Sequence, residues 1–182
     1  MIIKIKTFMI KGTQLIVGIT MAIAFAFGGC TTKEDSTFSP ADLANPLMGT
    51  DSEYLLSHGN TYPAVALPWG MNFWTPQTRL NGDGWGYAYD DHKIVGIKQT
   101  HQPSPWINDY AAFSLMPVTG GRLITEERRA SWFSHKAEVS KPYYYSVYLA
   151  DHDVTAEVTP TERASVFRFT FPENDSSAVV ID

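Results

Sequence analysis

The chain is poor in cysteine and has no excess of positive charge, and each shortage excludes a class of protein. One Cys among 182 residues excludes a disulfide framework and a multi-Cys zinc or iron–sulfur site. The formal net charge is −5, whereas a nucleic-acid reader needs positive charge to displace counterions from phosphate. No nucleic-acid partner is therefore expected.

Motifs of complete catalytic sites are also missing. The chain has no HExxH zinc motif, nucleophile elbow, phosphate-binding loop or EF-hand. Asp90 and Asp91 are adjacent carboxylates that should point apart in a turn, whereas the two acids of a glycosidase flank the scissile bond several Å from each other. Glu126–Arg129 is interpreted as a solvated charged turn. The sequence therefore nominates no catalytic residue and no metal ligand within this chain.

Helix-forming patterns are scarce, whereas period-two patterns are common. Eleven prolines and five tryptophans argue against a coiled coil or a helical bundle, and Pro40–Leu43 offers one helical turn at most. Alternating patterns occupy residues 143–150, 154–159 and 166–171, with turn-forming segments between them. Because successive strand residues face opposite sides, these segments predict an all-β fold. The expected fold is an antiparallel β-sandwich whose first half contains long loops.

Residues 1–29 have the pattern of an export signal. A basic segment with three lysines and no acid is followed by a mostly apolar run over residues 15–27 and by two glycines. This order is typical of a secretory signal peptide. A membrane anchor is the alternative, but the apolar run is shorter than the ~20 residues that a spanning helix needs.

Residues 30–42 are interpreted as a lipid-anchor cysteine and a polar tether. Small residues directly before Cys30 resemble the lipid-attachment site of bacterial lipoproteins, with Phe27 in the usual place of Leu. The alternative is that Cys30 is a small buried residue. Acyl chains, at ~0.8 kcal/mol per buried CH₂, would hold the protein stably on a membrane. We expect attachment to the bacterial outer membrane, on its periplasmic side or at the cell surface, because Lys33–Asp35 resembles a surface-export signal of Bacteroidetes lipoproteins.

Candidate ligand-binding residues lie between 45 and 117, within a domain that spans residues 43–182. Trp85 lies between two glycines, which leave room around an indole that could stack on a sugar ring. His101 and Gln102 precede Trp106 in a proline-stiffened segment, and they could orient hydroxyl groups. From the residues alone, packing and ligand contact are both open for the two tryptophans, and a structural role is favoured for His101.

Packing or surface roles are predicted for the other tryptophans and histidines. Core or interface packing is expected for Trp69 and Trp74, and a structural place in a strand for Trp132. Surface or turn positions are expected for the remaining histidines: His58, His92, His135 and His152.

A series of short motifs follows in a fixed order along this domain. The motifs are Asn45–Thr50, Gly59–Pro63, Pro68–Met71, Gly84–Tyr87, Thr100–Pro117, Phe133–Glu138, Tyr144–Val147 and Val158–Ala164. Each is weak alone, but together they resemble the N-terminal domain of glycoside hydrolase family 92, a family of exo-acting α-mannosidases common in Bacteroidetes. Ala64 and Ala111-Ala112 depart from the usual Gly and Gly-Asp of that pattern, which leaves the substrate linkage open.

The resemblance implies a β-sandwich packed against a C-terminal (α/α)₆ barrel, with the active site between them. It also implies a calcium-dependent, inverting exo-α-mannosidase acting on mannose-containing glycans, in which an acid protonates the leaving oxygen and a base activates water. Both catalytic carboxylates and the Ca²⁺ ligands would belong to the barrel, which is expected beyond Asp182 and absent from this chain. The chain alone should be inactive, and Trp85, His101, Gln102 and Trp106 would form part of the sugar site.

Two other functions remain open. One is a non-catalytic carbohydrate-binding surface lipoprotein built on the same sandwich, and the other is a structural adhesion protein. The apolar segment Ala178–Ile181 is expected to form a strand with no pairing partner, an exposed edge that native proteins avoid. This favours the interpretation that the chain is the front part of a longer polypeptide.

Overall fold

The structure is a computed structural model that describes residues 39–51, 61–80, 86–100, 113–121 and 125–182. These residues form ten strands, a single-turn α-helix and two 3-10 helices. The strands are β1 (Phe73–Gln77), β2 (Lys93–Ile94), β3 (Gly96–Thr100), β4 (Ser114–Val118), β5 (Ser131–Trp132), β6 (Glu138–Lys141), β7 (Tyr144–Leu149), β8 (Val154–Pro160), β9 (Ser165–Thr170) and β10 (Ala178–Ile181). The helices are α1 (Glu126–Arg129) and the 3-10 turns Pro40–Leu43 and His135–Ala137. Within the described ranges, no helix has the length and apolar character needed to cross a bilayer.

Two four-stranded antiparallel sheets make up the architecture. The first has the order β1-β3-β4-β10, the second has the order β6-β7-β8-β9, and β2 pairs with β5 beside them. The C-terminal strand β10 pairs with β4 from Ala178 opposite Val118 to Ile181 opposite Leu115. The expectation that this strand would be unpaired is therefore wrong, since β4 supplies one row of its backbone hydrogen bonds.

The two sheets enclose one hydrophobic core. Its residues come from the first sheet (Trp74, Ile97, Met116, Val118) and from the second (Tyr145, Val147, Leu149, Ala156, Val158), together with Val65 and Ile94. The Trp74 ring meets the Phe167 ring of the second sheet edge-on, with 4.7 Å between centroids. Each large apolar side chain buried here contributes about 1.5–3 kcal/mol. The predicted antiparallel β-sandwich is confirmed.

Three strands of the second sheet, β7, β8 and β9, follow the predicted alternation, whereas β6 was not predicted. On β7 the buried residues are Tyr145, Val147 and Leu149, and the residues between them are partly or fully exposed. On β9 the phenylalanines at 167 and 169 are half-buried against the core, while the residues that alternate with them are exposed. Period-two patterning therefore located this sheet, because one of its faces is buried and the other is in water.

The strands of the first half, in contrast, lack this alternation. In β1, all residues after Phe73 are buried, so no polar face marks the strand. Pro76 also lies in β1, which is compatible with a strand because β1 is at the edge of its sheet. In β4, Pro117 lies beyond Ser114 and Leu115, the residues that pair with β3. Because both strands contain proline and are buried on both faces, they lack the alternation of apolar and polar residues that predicts a strand.

The interpretation of Glu126–Arg129 as a solvated turn is wrong. The segment forms α1, and the side chain of Arg129 is fully buried. Its Nε donates to the carbonyl of Val95 at 2.9 Å, and an Nη lies 2.6 Å from the Asp182 carboxylate. The buried guanidinium thus connects α1 to the residue after β10, a contact between segments that are distant along the chain.

The structure confirms some of the positions predicted for tryptophans and histidines and corrects others. Trp74 is in the core, as predicted, and Trp132 lies in β5 with about half of its surface exposed (49%). Trp69 is fully exposed, so it does not lie in the core, and the alternative expectation of interface packing stays a prediction. His152 lies in a turn, as predicted, but it is buried, and its Nε2 donates to the Arg129 carbonyl at 2.9 Å.

Candidate functional site

The residues predicted from the sequence to bind ligand or lipid fall outside the described ranges. This applies to Trp85, His101, Gln102 and Trp106, and also to Cys30. The structure does describe residues next to Trp85 and His101 in the chain. Those neighbours show where each candidate segment begins or ends on the sandwich.

The segment that begins at His101 starts from a buried position. Thr100 ends β3, and its hydroxyl is 2.5 Å from the Tyr62 hydroxyl in a buried contact. At the other end of the segment, Phe113 packs edge-on against Trp74 with 5.4 Å between ring centroids. Because Tyr62, Thr100 and Trp74 are all buried, both ends of this segment are held by the core.

The residue that follows Trp85 is held at the end of β1. The Gly86 carbonyl accepts hydrogen bonds from the amides of Thr78 (2.9 Å) and Arg79 (3.3 Å). The Asp91 carboxylate accepts from the Thr78 hydroxyl at 2.7 Å and from Arg79 Nε at 3.0 Å. Asp91 is therefore occupied as a structural acceptor.

These two anchoring points lie at opposite ends of β1. Thr100 pairs with Phe73, the first residue of the strand, whereas Gly86 bonds just past Gln77, the last residue. At 3.3 Å per residue, the first and last residues of β1 are ~13 Å apart. The described neighbours of Trp85 and His101 are therefore attached at different ends of β1, and one sugar site formed by Trp85, His101, Gln102 and Trp106 stays a prediction.

A buried polar cluster lies near the Gly86 attachment, and sequence analysis missed it. The Glu138 carboxylate, fully buried, accepts from the Tyr145 hydroxyl at 2.6 Å and lies 2.6 Å from His135 Nδ1. Burial, and then the negative charge of Glu138, raises the pKa of Tyr87. Within the described ranges the Tyr87 hydroxyl is buried without a hydrogen-bond partner.

This cluster stabilises structure and does not form a catalytic pair. The second nitrogen of His135 contacts the Tyr89 carbonyl at 2.8 Å, so both ring nitrogens are engaged. The His135 ring also stacks on Tyr89, with 3.9 Å between centroids and 2° between planes. A histidine held in this way has no free nitrogen with which to take a proton from a substrate. The spacing of His135 and Glu138 could have suggested a contact, but not the burial of Glu138.

No metal centre is formed by the part of the chain that the structure describes. In those ranges no three His, Cys, Asp or Glu side chains converge closely enough to hold an ion. Glu157, the other nearly buried carboxylate, is bonded by Arg168 and by the Tyr144 hydroxyl. These bonds, with Arg168 as the largest cause, lower the pKa of Glu157. The carboxylates of Glu138 and Glu157 are therefore committed to protein partners.

The molecule is a β-sandwich in which the candidate ligand-binding segments are connections between strands, a general arrangement for binding domains. The sequence profile described as the glycosyl hydrolase family 92 N-terminal domain matches residues 43–182. The chain belongs to glycosyl hydrolase family 92 and contains its N-terminal domain, as the motif series had predicted.

Solved structures agree with this assignment. A family GH92 inverting mannosidase from Bacteroides thetaiotaomicron is 51% identical, with a TM-score of 0.73, over 78% of this chain and 19% of its own. A family GH92 α-mannosidase from the same bacterium is 36% identical, with a TM-score of 0.69, over 78% of this chain and 20% of its own. An uncharacterized secreted glycosidase from Arthroderma benhamiae is 21% identical over 128 residues, which are 66% of this chain and 16% of that protein. The chain thus spans about a fifth of the length of these relatives.

Proposed function

We propose that this chain is the N-terminal part of a calcium-dependent, inverting exo-α-mannosidase that acts on mannose-containing glycans. The observation that carries the proposal is the 51% identity to an inverting mannosidase of the same family and fold. Catalysis would come from a C-terminal domain that this chain lacks, so the chain alone would be inactive. The sandwich would contribute one wall of the sugar site.

Trp85, His101, Gln102 and Trp106 are the residues proposed for that wall. An indole face can stack on the C–H groups of a sugar ring, while imidazole and amide groups bond to its hydroxyls. The anchors at buried Thr100 and at Phe113, which packs on Trp74, support this role, because a segment held at both ends loses less conformational entropy on binding. The described neighbours of Trp85 and His101 are ~13 Å apart along β1.

Calcium would be bound elsewhere in the full-length protein. The described residues do not fit a Ca²⁺ site, because the ion needs six to eight oxygen ligands and no acidic cluster is present in those ranges. The nearly buried carboxylates of Glu138 and Glu157 are already bonded to protein donors. The described residues therefore have no proposed role in holding the metal, and the residues proposed to position the sugar are the four named above.

The test is hydrolysis of mannobioses of different linkage by the full-length protein. We expect release of mannose from the non-reducing end, with the β-anomer formed first, as NMR would show for an inverting enzyme. A chelator should abolish the activity and added calcium should restore it. A complete protein that leaves terminal mannosides intact in the presence of calcium would refute the proposal.

The alternative is a non-catalytic carbohydrate-binding lipoprotein. Glycan binding by the full-length protein without any hydrolysis would support it over the enzyme. In either case we propose that Cys30 carries the lipid anchor and that residues 1–29 are the signal peptide.

A further inference from the structure

We propose that His135 and Glu138 form a clamp that requires two protons and that holds residues 86–89 against the second sheet. The clamp consists of the two side chains and the Tyr89 carbonyl. Through it, His135 acts as a positioning residue for Trp85, which directly precedes residue 86 in the chain. This last step rests on the proposed function, because it assigns Trp85 to the sugar site. The clamp itself depends on neither mannose nor calcium.

A short turn brings the two side chains of the clamp together. His135 begins the 3-10 turn that leads into β6, and Glu138 is the first residue of that strand. Because a 3-10 helix has about three residues per turn, side chains three positions apart lie on the same side. The Glu138 amide donates to the His135 carbonyl and closes the turn. The contact between the two side chains is therefore built into the local backbone of the second sheet.

The oxygen atoms around the His135 ring require two protons. Nδ1 lies 2.6 Å from the Glu138 carboxylate, and Nε2 lies 2.8 Å from the Tyr89 carbonyl. A carbonyl and an ionised carboxylate can only accept hydrogen bonds, whereas a neutral imidazole has a single N–H to donate. Both contacts are hydrogen bonds only if His135 is doubly protonated or if Glu138 holds the second proton. In either form the pair has no net charge, which suits the full burial of the Glu138 side chain.

The neighbouring groups do not supply or remove these protons. The titratable and charged groups that face the clamp are Tyr87, Tyr89, Tyr145, Asp91 and Arg79. Tyr145 already donates to the other Glu138 oxygen at 2.6 Å, and burial, followed by the charge of Glu138, raises its pKa well above the ordinary value. The same two causes raise the pKa of Tyr87. Asp91 and Arg79 are bonded to each other at 3.0 Å.

The clamp holds residues 86–89 from the side of the second sheet. On the other side, the Tyr89 amide donates to the Thr50 carbonyl at 3.0 Å. His135 bonds to the carbonyl of Tyr89 and also stacks on its ring. If one proton of the clamp is lost as the pH rises, an acceptor is left facing a nitrogen lone pair, and one of the two contacts is broken. Residues 86–89 should then open more readily.

The consequence for the sugar site follows from chain connectivity. Trp85 is bonded directly to Gly86, so its position depends on the segment that the clamp holds. The proposed catalytic groups belong to another part of the full-length protein and do not contact the clamp. We therefore expect opening of the clamp to weaken sugar binding, which raises KM, and to leave kcat unchanged.

Glu138→Gln separates the contacts of the clamp from its second proton. The Gln amide can accept from Tyr145 and donate to Nδ1 of a neutral His135, whose Nε2–H then donates to the Tyr89 carbonyl. All the contacts are kept with one proton fewer on the ring, so the clamp should no longer respond to pH. Tyr89→Phe is the matched control, because it removes a titratable hydroxyl but keeps the carbonyl and the ring that stacks on His135.

Hydrogen–deuterium exchange of the full-length protein, followed by mass spectrometry, tests the clamp without substrate. Protection of residues 86–91 would be compared at about pH 6 and about pH 9, after correction for the intrinsic exchange rate. In wild type and Tyr89→Phe we expect this protection to fall by about tenfold, because an unsatisfied acceptor makes local opening easier. In Glu138→Gln it should change by less than about twofold. Protection of β8 reports on the fold and should be the same in all three proteins.

Two exchange results would overturn the inference. One is protection of residues 86–91 in wild type that does not change with pH or that changes equally in Glu138→Gln. The other is loss of β8 protection in Glu138→Gln, because a variant that keeps all the contacts of the clamp should fold.

Steady-state kinetics of the same proteins test the positioning role. Between about pH 6 and about pH 9, KM for a mannobiose should rise about fivefold more in wild type than in Glu138→Gln, while kcat follows the same pH profile in both. Parallel KM profiles would refute the positioning of Trp85 by His135. If the full-length protein hydrolyses no mannoside, the exchange experiment still decides whether the clamp exists, and only the proposed function is refuted.

Discussion

Replacing Arg129 with methionine should destabilise the sandwich by about 3 kcal/mol, because the buried guanidinium holds several groups at once. Removing one partner of a buried ion pair costs about 3–5 kcal/mol. The lower end applies here, since the Asp182 carboxylate is 43% exposed and water can partly solvate it once Arg129 is gone. The Val95 carbonyl loses its 2.9 Å bond, and an unsatisfied buried acceptor costs about 1–3 kcal/mol as part of that total.

Thermal unfolding followed by circular dichroism would measure this loss. For a domain of this size, 1 kcal/mol corresponds to about 2–4 °C, so the melting temperature of Arg129→Met should fall by about 6–12 °C. Arg128→Met is the matched control, because Arg128 is the exposed neighbour on the same helical turn. Equal shifts for the two variants would refute the argument that the burial of Arg129 and its contact with Asp182 account for the effect.

Three further predictions concern acid stability, the sugar site and the lipid anchor. The bond from Arg168 lowers the pKa of Glu157, so ionised Glu157 stabilises the fold at neutral pH and this contribution is lost as the pH falls through the lowered pKa. The stability difference between wild type and Glu157→Gln should therefore shrink between neutral pH and about pH 3, and a constant difference in urea unfolding would contradict this. Trp85→Ala in the full-length protein should lower kcat/KM for mannosides at least tenfold, or about 1.4 kcal/mol, while Trp132→Ala should leave it unchanged. Cys30→Ser should move the protein from the membrane to the soluble fraction after cell fractionation, and unchanged membrane association would rule out lipidation at this residue.

The strands in the second half of the chain could be predicted because their alternating pattern depends only on residues that are neighbours in the sequence. Strands β7, β8 and β9 each have one buried face, and a strand buried on one side must alternate apolar and polar residues. The order of motifs along residues 43–182 likewise carried the family assignment. Neither conclusion required knowledge of which segments meet in space.

The attachment points of the candidate binding segments depend on strand pairing. The residue types around Trp85 and His101, together with the motif series, predict that both belong to one sugar site. The register of β1 with β3 and the hydrogen bonds of Gly86 place their described neighbours, Thr100 and Gly86, at opposite ends of one strand. Register is set by contacts between distant segments, so local composition could not provide it.

The amino-acid sequence by itself determined the fold class, the family and the strands that have one face buried and the other exposed to solvent. Only the tertiary structure decided which polar and aromatic side chains are buried. Arg129 lies in a run of four charged residues and is buried because β10 brings Asp182 to it, while Trp69 lies among apolar neighbours and is left in water by a left-handed turn. Burial is a property of the segments that pack together, and these segments are far apart in the chain.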